Sequence, residues 1–284
     1  MNKSKLRIRR RMKRYGEHMD SNVDTNRDPM EIPSVRQVPA GYAVRWVRLG
    51  WRDFVSAGWP SFLHGLIVFV ASVAIIEITF LYWPILPGAV SGFVLVGPIL
   101  ATGLYALSQR LERGQVARFH DAVAAWRRSS RCLVRFGLLL ILAGAAWVGM
   151  TALLFGFFVK AEITQPVAFL RYVLVQNELH FFLWAILGGL GAALVFALTV
   201  VSVPLLLDRD VDTRTAMLTS VRVVGENPVT MGWWAVFILV ATGFSVSTLM
   251  LGFIVLYPVM GHASWHLYRD LVDADKLKAR DLAA

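Results

Sequence analysis

Six runs of apolar residues, each close to 20 residues long, constrain this chain more than any other feature of its sequence. In chain order they are about Phe62–Tyr82, Gly88–Ser108, Leu133–Val159, Phe181–Leu207, Val229–Thr248 and Leu251–Tyr268. A helix of this length crosses the hydrocarbon core of a bilayer. The composition agrees, because 56% of the 284 residues are hydrophobic, more than a soluble domain of this size can bury. The sequence therefore predicts an all-α, polytopic membrane bundle with six transmembrane helices.

Lysine and arginine are distributed unequally between the two sides of this predicted bundle. Of the 29 basic residues, 27 lie in the terminal segments and in the connections after spans two and four. The remaining connections carry Lys160 and Arg171 alone. Because basic connections stay in the cytoplasm, both termini are predicted to be cytoplasmic. The same rule accounts for the net charge of +10, so we expect no nucleic-acid partner.

The polar ends of the chain separate from its apolar middle. Residues 1–37 are basic and polar with almost nothing to bury, so we predict a disordered cytoplasmic tail. Residues 38–272 form the predicted six-span membrane domain. Residues 273–284 form a predicted C-terminal tail on the cytoplasmic side.

Short amphipathic segments precede spans one, three and five. Their apolar stripes are Val44, Val47, Trp51, Phe54 and Val55; Val116, Phe119, Val123 and Trp126; and Met217, Leu218, Val221 and Val224. An apolar stripe bordered by arginine is typical of a helix that lies among lipid headgroups. The arginines predicted to contact anionic headgroups are Arg45, Arg48, Arg52, Arg127 and Arg128. The alternative is ordinary packing beneath the bundle.

The returning spans each contain a proline: Pro98, Pro204 and Pro258. Two of them share the spacing of Gly, Phe and Pro, in "GFVLVGP" (92–98) and "GFIVLYP" (252–258). The pattern predicts three related hairpins, each preceded by a cytoplasmic amphipathic helix, although the second unit has no matching Gly-Phe. Each proline is predicted to kink its helix. Freed carbonyl groups that bind an ion or a substrate are the alternative.

A few ionisable residues inside the spans are candidates for a polar site. His262 and His266 stand four residues apart, on one face of a helix, and His64 is predicted at a similar depth. Three interpretations stay open for the histidines: a metal or haem site, a proton or substrate role, and packing with hydrogen bonds. We predict that His262 and His266 face the bundle interior, with Trp265 and Tyr268 as interfacial anchors.

Glu77 is predicted close to the outer end of the first span, where a carboxylate reaches water. The sequence holds no phosphate-binding glycine loop, no nucleophile elbow and no paired carboxylates within one helix. We therefore expect no enzymatic activity and no cofactor, and the identity of any metal stays unknown.

Two segments resemble a known family. "GPILATGLYALSQRLERGQ" followed by "DAVAAWRR", and later "YPVMGHASWHLYRDLV", are similar to the bacterial predicted integral membrane proteins grouped as domain of unknown function 2189. The likeness extends over most of residues 45–272. It implies a multi-pass protein of the bacterial inner membrane and implies no activity.

Three functions fit these features. The first is a non-enzymatic membrane scaffold, assembly or envelope-homeostasis factor. The second is a small-solute or lipid transporter that uses the proline-containing helices. The third is a metal- or haem-binding membrane subunit. The expected partners are the lipid bilayer and anionic headgroups, and a membrane-protein partner or a second copy of the chain stays open.

Overall fold

The computed structural model describes residues 32–81, 89, 97–127, 131–158 and 179–280. These residues form ten α-helices and two short strands. In chain order they are β1 (Ser34–Val35), α1 (Tyr42–Ala57), α2 (Trp59–Leu81), α3 (Thr102–Glu112), α4 (Phe119–Arg127), α5 (Arg131–Phe158), α6 (Leu179–Thr199), α7 (Ser202–Asp208), α8 (Thr213–Glu226), α9 (Pro228–Ser247), α10 (Phe253–Leu271) and β2 (Val272–Asp273).

Four stretches of the described helices are long and apolar enough to cross a membrane. They are Trp59–Ile78 in α2, Arg131–Leu153 in α5, Ala185–Asp208 through α6 and α7, and Pro228–Ser247 in α9. Much of the predicted second span lies outside the described residues, and its end forms residues 97–100 and α3. The predicted sixth span forms α10, which is not among the four candidates. The chain is thus mainly helical with four candidate spans in its described part.

The centre of the described structure is formed by α3, α7 and the second half of α10, which pack on one another. Nearly every residue of α3 and all residues of α7 are buried. Among the largest fully buried side chains are Leu104, Leu107, Leu205, Trp265 and Tyr268. A helix that is buried on all sides belongs to the core of a bundle.

The three short amphipathic helices pack around this centre in a regular order. Helix α1 packs on α10, α4 packs on α3, and α8 packs on α6 and α7. The long apolar helices follow the same order, because α2 contacts α4, α5 contacts α8 and α9 contacts α1. Each amphipathic helix therefore contacts two helices that follow one another in the chain: α9 and α10 for α1, α2 and α3 for α4, and α5 and α6 for α8.

Two glycines permit the closest of these helix contacts. A Cβ atom at Gly50 of α1 would collide with the backbone of Val259 and Ala263 in α10. A Cβ atom at Gly65 of α2 would collide with the carbonyl of Ile254, also in α10. Small residues at such crossings let helix backbones approach closely inside membrane proteins. Helix α10 is thus held on two sides by backbone-to-backbone contact.

The two ends of the described chain pack against the helices. Strand β1 pairs antiparallel with β2, and Arg36 N–H donates to the Leu271 carbonyl over 2.8 Å. Near the other end, Arg280 N–H donates to the Asp208 carbonyl over 2.9 Å. Residues 32–37 of the predicted N-terminal tail and 273–280 of the predicted C-terminal tail therefore belong to the packed structure, while residues 1–31 and 281–284 lie outside the described part.

Candidate functional site

A chain of hydrogen bonds joins polar side chains where α1, α2, α3 and α10 meet. His262 of α10 is 2.7 Å from Ser61 through its Nε2 atom and 2.7 Å from Ser108 through its Nδ1 atom. The Ser108 hydroxyl donates to Asp53 Oδ2 over 2.8 Å. His266 Nε2 lies 2.8 Å from the same oxygen. We call this set of five side chains the polar network.

The hydrogen-bond pattern fixes the direction of each proton in the polar network. A serine hydroxyl has one hydrogen, and that of Ser108 points to Asp53. Ser108 must then accept from the Nδ1–H group of His262, which leaves Nε2 to accept from the Ser61 hydroxyl. His262 is therefore assigned as the neutral Nδ1–H tautomer, with both ring nitrogens in use.

Asp53 enters the bundle because of its position along α1. The residues of α1 that pack inward recur every three or four positions: Ala43, Trp46, Gly50, Asp53 and Ala57. This spacing follows the 3.6-residue period of a helix. The small residues on this face bring α1 close to α10, so the Asp53 side chain reaches between α3 and α10 and is 3% exposed.

Burial and hydrogen bonding act in opposite directions on Asp53. Burial raises the pKa of the carboxyl group, while the hydrogen bond and electrostatic interaction with His266 and the hydrogen bond of Ser108 lower it. The lowering wins, so the pKa of Asp53 is below its ordinary value of 3.8 and the group is ionised near neutral pH. Arg52 Nε lies 3.9 Å from Oδ1 and extends outward.

The polar network is closed at one end and approaches the surface at the other. Ser61, Ser108 and His262 are fully buried. His266 keeps 14% of its side chain exposed. The prediction that His262 and His266 face the bundle interior is thus confirmed. The arrangement cross-links four helices and orders protons along them, while Ser61 itself is sealed from solvent.

A second set of polar contacts closes the ends of the three central helices. Glu112, Asp208 and Asp270 stand at the ends of α3, α7 and α10. Each receives one aromatic donor: Trp265 Nε1 to Glu112 over 2.9 Å, Tyr268 O–H to Asp208 over 2.7 Å, and Trp46 Nε1 to Asp270 over 2.8 Å. Each also contacts an arginine, in the order Arg269, Arg209 and Arg45. The Arg269–Glu112 ion pair joins α10 to α3, the Tyr268–Asp208 hydrogen bond joins α10 to α7, and the contacts of Trp46 and Arg45 with Asp270 join α1 to α10.

The same contacts correct one prediction. Trp265 and Tyr268 were expected as interfacial anchors, but they are 1% and 0% exposed. Their polar atoms bind Glu112 and Asp208 instead of lipid headgroups. The expectation was wrong because a Trp or Tyr near a helix end suits an interface or a buried carboxylate equally well.

The other predicted polar residues lie apart from the polar network. His64 Nε2 is 3.4 Å from the Leu100 carbonyl, and its buried Nδ1 atom has no partner among the described residues. Glu77 is exposed and follows His64 by 13 residues of α2, a distance of about 20 Å. Among the described residues no three His, Cys, Asp or Glu side chains come together as metal ligands.

The three prolines have different surroundings. Pro204 follows the interruption between α6 and α7, and Pro98 precedes the turn residue Ala101 that leads into α3. Pro258 lies inside the continuous helix α10. The carbonyl of Ile254, which Pro258 leaves without its helical donor, faces the close approach of Gly65. The contact between Gly65 and the Ile254 carbonyl is therefore a packing contact between two helices.

The arginines predicted at lipid headgroups lie mostly on exposed surfaces. Arg48, Arg52 and Arg127 are exposed, whereas Arg45 forms an ion pair with Asp270. Arg128 lies outside the described residues. Val44, Trp51 and Val55 of the apolar stripe of α1 are also exposed, whereas Val47 and Phe54 are half-buried.

Sequence reasoning missed three members of the polar network: Asp53, Ser61 and Ser108. A usable signal was present for Asp53, because it continues the small-residue face of α1 rather than the arginine stripe. No comparable signal marks the two serines. Their role depends on how α2 and α3 meet α10, which local spacing does not encode.

Comparison with known families agrees with this helical membrane architecture. The central part of the chain matches a family described as predicted integral membrane protein, DUF2189. The match covers residues 85–208. The family resemblance predicted from the sequence is thereby confirmed over this range. No curated protein and no solved structure matches the chain.

The DUF2189 match covers part of the site described above. It includes Ser108 of the polar network and the helix-closing residues Glu112 and Asp208. His262 and Asp53 lie outside the DUF2189 range. The chain is an integral membrane protein whose biochemical function the DUF2189 description does not specify.

Proposed function

We propose that the protein is a non-enzymatic scaffold of the bacterial inner membrane, with six spans in three related units and both termini in the cytoplasm. In each unit an amphipathic helix is followed by an outgoing span and a returning span. The regular packing order supports this division, since α1, α4 and α8 each pack on the returning helix of another unit. These contacts link the three units in a closed ring, which holds the units together at one end of the bundle.

The observation that carries the proposal is the exposed side of the amphipathic helices. Helix α1 turns its small residues inward and leaves Trp51 and Val55 at 52% and 60% exposure. Helix α4 leaves Val123 and Trp126 exposed in the same way. Apolar side chains bordered by exposed arginines suit the headgroup layer of an anionic membrane. The ring of three helices then holds anionic lipid around a packed protein centre.

The polar network supports a structural role for the buried histidines. Its members satisfy one another by short hydrogen bonds across four helices, which rigidifies a bundle. On this proposal the network stabilises the scaffold and takes no part in chemistry.

The test measures anionic lipid retained by the purified chain. Changing Arg48 and Arg52 to Gln should reduce the phosphatidylglycerol that travels with the protein into mild detergent, by about fivefold for each arginine. The double variant leaves the Arg45–Asp270 ion pair intact, and adding Arg45→Gln should deepen the loss. The matched control is Lys276→Gln with Lys278→Gln, which removes equal charge from exposed positions near the C-terminus. Equal lipid loss in both doubles would contradict the proposal.

A second candidate function is proton-coupled transport of a small solute. The continuous hydrogen-bonded path from Ser61 to the partly exposed His266 favours it. Proton flux into liposomes that contain the purified chain separates the two candidates. If the protein is a scaffold, liposomes that contain it should show the same proton flux as empty liposomes. If it is a transporter, the proton flux should be higher than in empty liposomes and should decrease in His262→Gln.

A further inference from the structure

We propose an anionic phospholipid site where α5 meets α8, formed by Arg131, Arg135 and Arg214. It is separate from the arginine stripe of α1 and rests on the proposed orientation, in which these arginines face the inner leaflet. The ligand is a glycerophospholipid with an anionic headgroup. Its phosphate lies among the three guanidinium groups and its acyl chains lie along α5.

The first observation is that these arginines have no carboxylate partner among the described residues. In nearby elements, Arg110, Arg209, Arg222 and Arg269 each form an ion pair with a carboxylate. Arg131, Arg135 and Arg214 are exposed and form no ion pair or hydrogen bond with a described side chain. Arg135 also lies one turn inside the candidate span Arg131–Leu153. An arginine at that depth is stabilised by an anion beside it.

The second observation is the apolar surface that continues from the arginines. On α5, Arg131 and Arg135 share one exposed face with Val134, Leu138 and Leu142. The spacing of three and four residues places them in a single stripe along the helix. A cationic end followed by an apolar stripe matches a phospholipid, which has an anionic head and apolar tails, better than it matches a soluble anion.

The third observation is that α8 meets α5 at the level of the arginines. Thr213 Oγ donates to the Cys132 carbonyl over 3.3 Å, so the first turns of the two helices touch. Arg214 follows Thr213 and begins an exposed face that continues through Leu218 and Val221. The exposed stripes of α5 and α8 therefore each begin with arginine close to the contact between the two helices. A basic corner between helices on the cytoplasmic side is a recurrent form of anionic-lipid site.

The experiment is native mass spectrometry of the full chain in mild detergent, titrated with dioleoyl phosphatidylglycerol or dioleoyl phosphatidylcholine. Wild type should retain phosphatidylglycerol at lower lipid concentrations than phosphatidylcholine. Arg131→Gln with Arg135→Gln should weaken phosphatidylglycerol binding by about 30-fold, since each arginine contributes about fivefold. Arg131→Lys with Arg135→Lys keeps the charge and should keep most of the binding.

The charge-matched control is Arg113→Gln with Arg118→Gln, which changes two exposed arginines in the connection between α3 and α4. An equal loss in this control and in the Arg131/Arg135 double would overturn the site. Competition by inorganic phosphate at the same concentration would also overturn it, because the ligand would then be a free anion. If the double variant does not stay folded, Arg135→Gln and Arg214→Gln singly carry the comparison, each with about fivefold loss.

The outcome separates this site from the scaffold proposal. Loss of lipid in Arg48→Gln/Arg52→Gln with no effect of Arg131→Gln/Arg135→Gln would contradict the site and leave the scaffold proposal intact. The reverse result would contradict the headgroup role of α1 and keep the site.

Discussion

His262 lies at the centre of the buried hydrogen bonds at the candidate site. Its two ring nitrogens bind serines on α2 and α3, so one side chain fastens α10 to both helices. A leucine of similar size leaves the Ser61 hydroxyl without its partner, while the Ser108 hydroxyl keeps only its hydrogen bond to Asp53. Each unsatisfied buried hydroxyl costs about 1–3 kcal/mol.

We therefore expect His262→Leu to lower the unfolding midpoint in detergent by more than His262→Gln, because glutamine keeps both a donor and an acceptor. Thermal unfolding followed by tryptophan fluorescence measures this. His120→Leu, at a side chain 67% exposed, is the matched control and should change the midpoint little. A stoichiometric metal or haem in wild type that disappears in His262→Gln would instead favour the ligand interpretation.

Asp53 makes the stability of the chain depend on pH. Its pKa is held below 3.8 in the folded chain, so its carboxylate stabilises the fold above that value. The contribution is lost as the pH falls through the lowered folded-state pKa. We expect the unfolding midpoint of wild type to decrease as the pH is lowered from about 5 to 3. Asp53→Asn should have a lower midpoint than wild type at pH 7, and its midpoint should decrease less over the same pH range.

Unfolding midpoints across this pH range, measured in one detergent, test the Asp53 prediction. Asp210→Asn is the control, because Asp210 carries an exposed carboxylate. Its curve should run parallel to wild type. If the midpoint of Asp53→Asn depended on pH as steeply as that of wild type, another group would be responsible for the acid sensitivity.

At the scale of the elements, the contact between α1 and α10 depends on Gly50. Any Cβ atom there meets the backbone of α10, which cannot yield as a flexible side chain does. Gly50→Ala should destabilise the chain by about 1–3 kcal/mol by forcing the helices apart. Gly232→Ala in α9, where nothing lies within 4 Å, should be neutral or slightly stabilising, since alanine favours helix. Thermal midpoints of the two variants make the comparison, and equal midpoints would contradict it.

At the scale of the whole molecule, the distribution of basic residues predicts which side of the membrane α5 begins on. Cys132, the single cysteine of the chain, should be cytoplasmic. An impermeant thiol reagent should label it in inverted vesicles and leave it unlabelled in spheroplasts. Because Cys132 is half-buried, labelling after denaturation serves as the positive control. Labelling in spheroplasts alone would reverse the orientation.

Local pattern was sufficient for much of this architecture. Runs of about 20 apolar residues predicted the four candidate spans, because crossing a bilayer sets both the length and the apolar character of a helix. The stripes of Trp51 and Trp126 predicted helices α1 and α4, since amphipathic periodicity is a property of the helix itself. The six-span count and the arrangement of hairpins stay predictions.

The helical membrane class, the amphipathic helices and the inward direction of His262 and His266 could be predicted from the sequence, because each follows from the period of one helix in its solvent. The contacts of Ser61, Ser108 and Asp53 with those histidines, and of Trp265 and Tyr268 with carboxylates, could be seen only in the folded chain. These contacts join residues from about 55 to more than 200 positions apart. They depend on which helices cross, and the polar side chains found their partners only where small residues such as Gly50 allowed two backbones to approach.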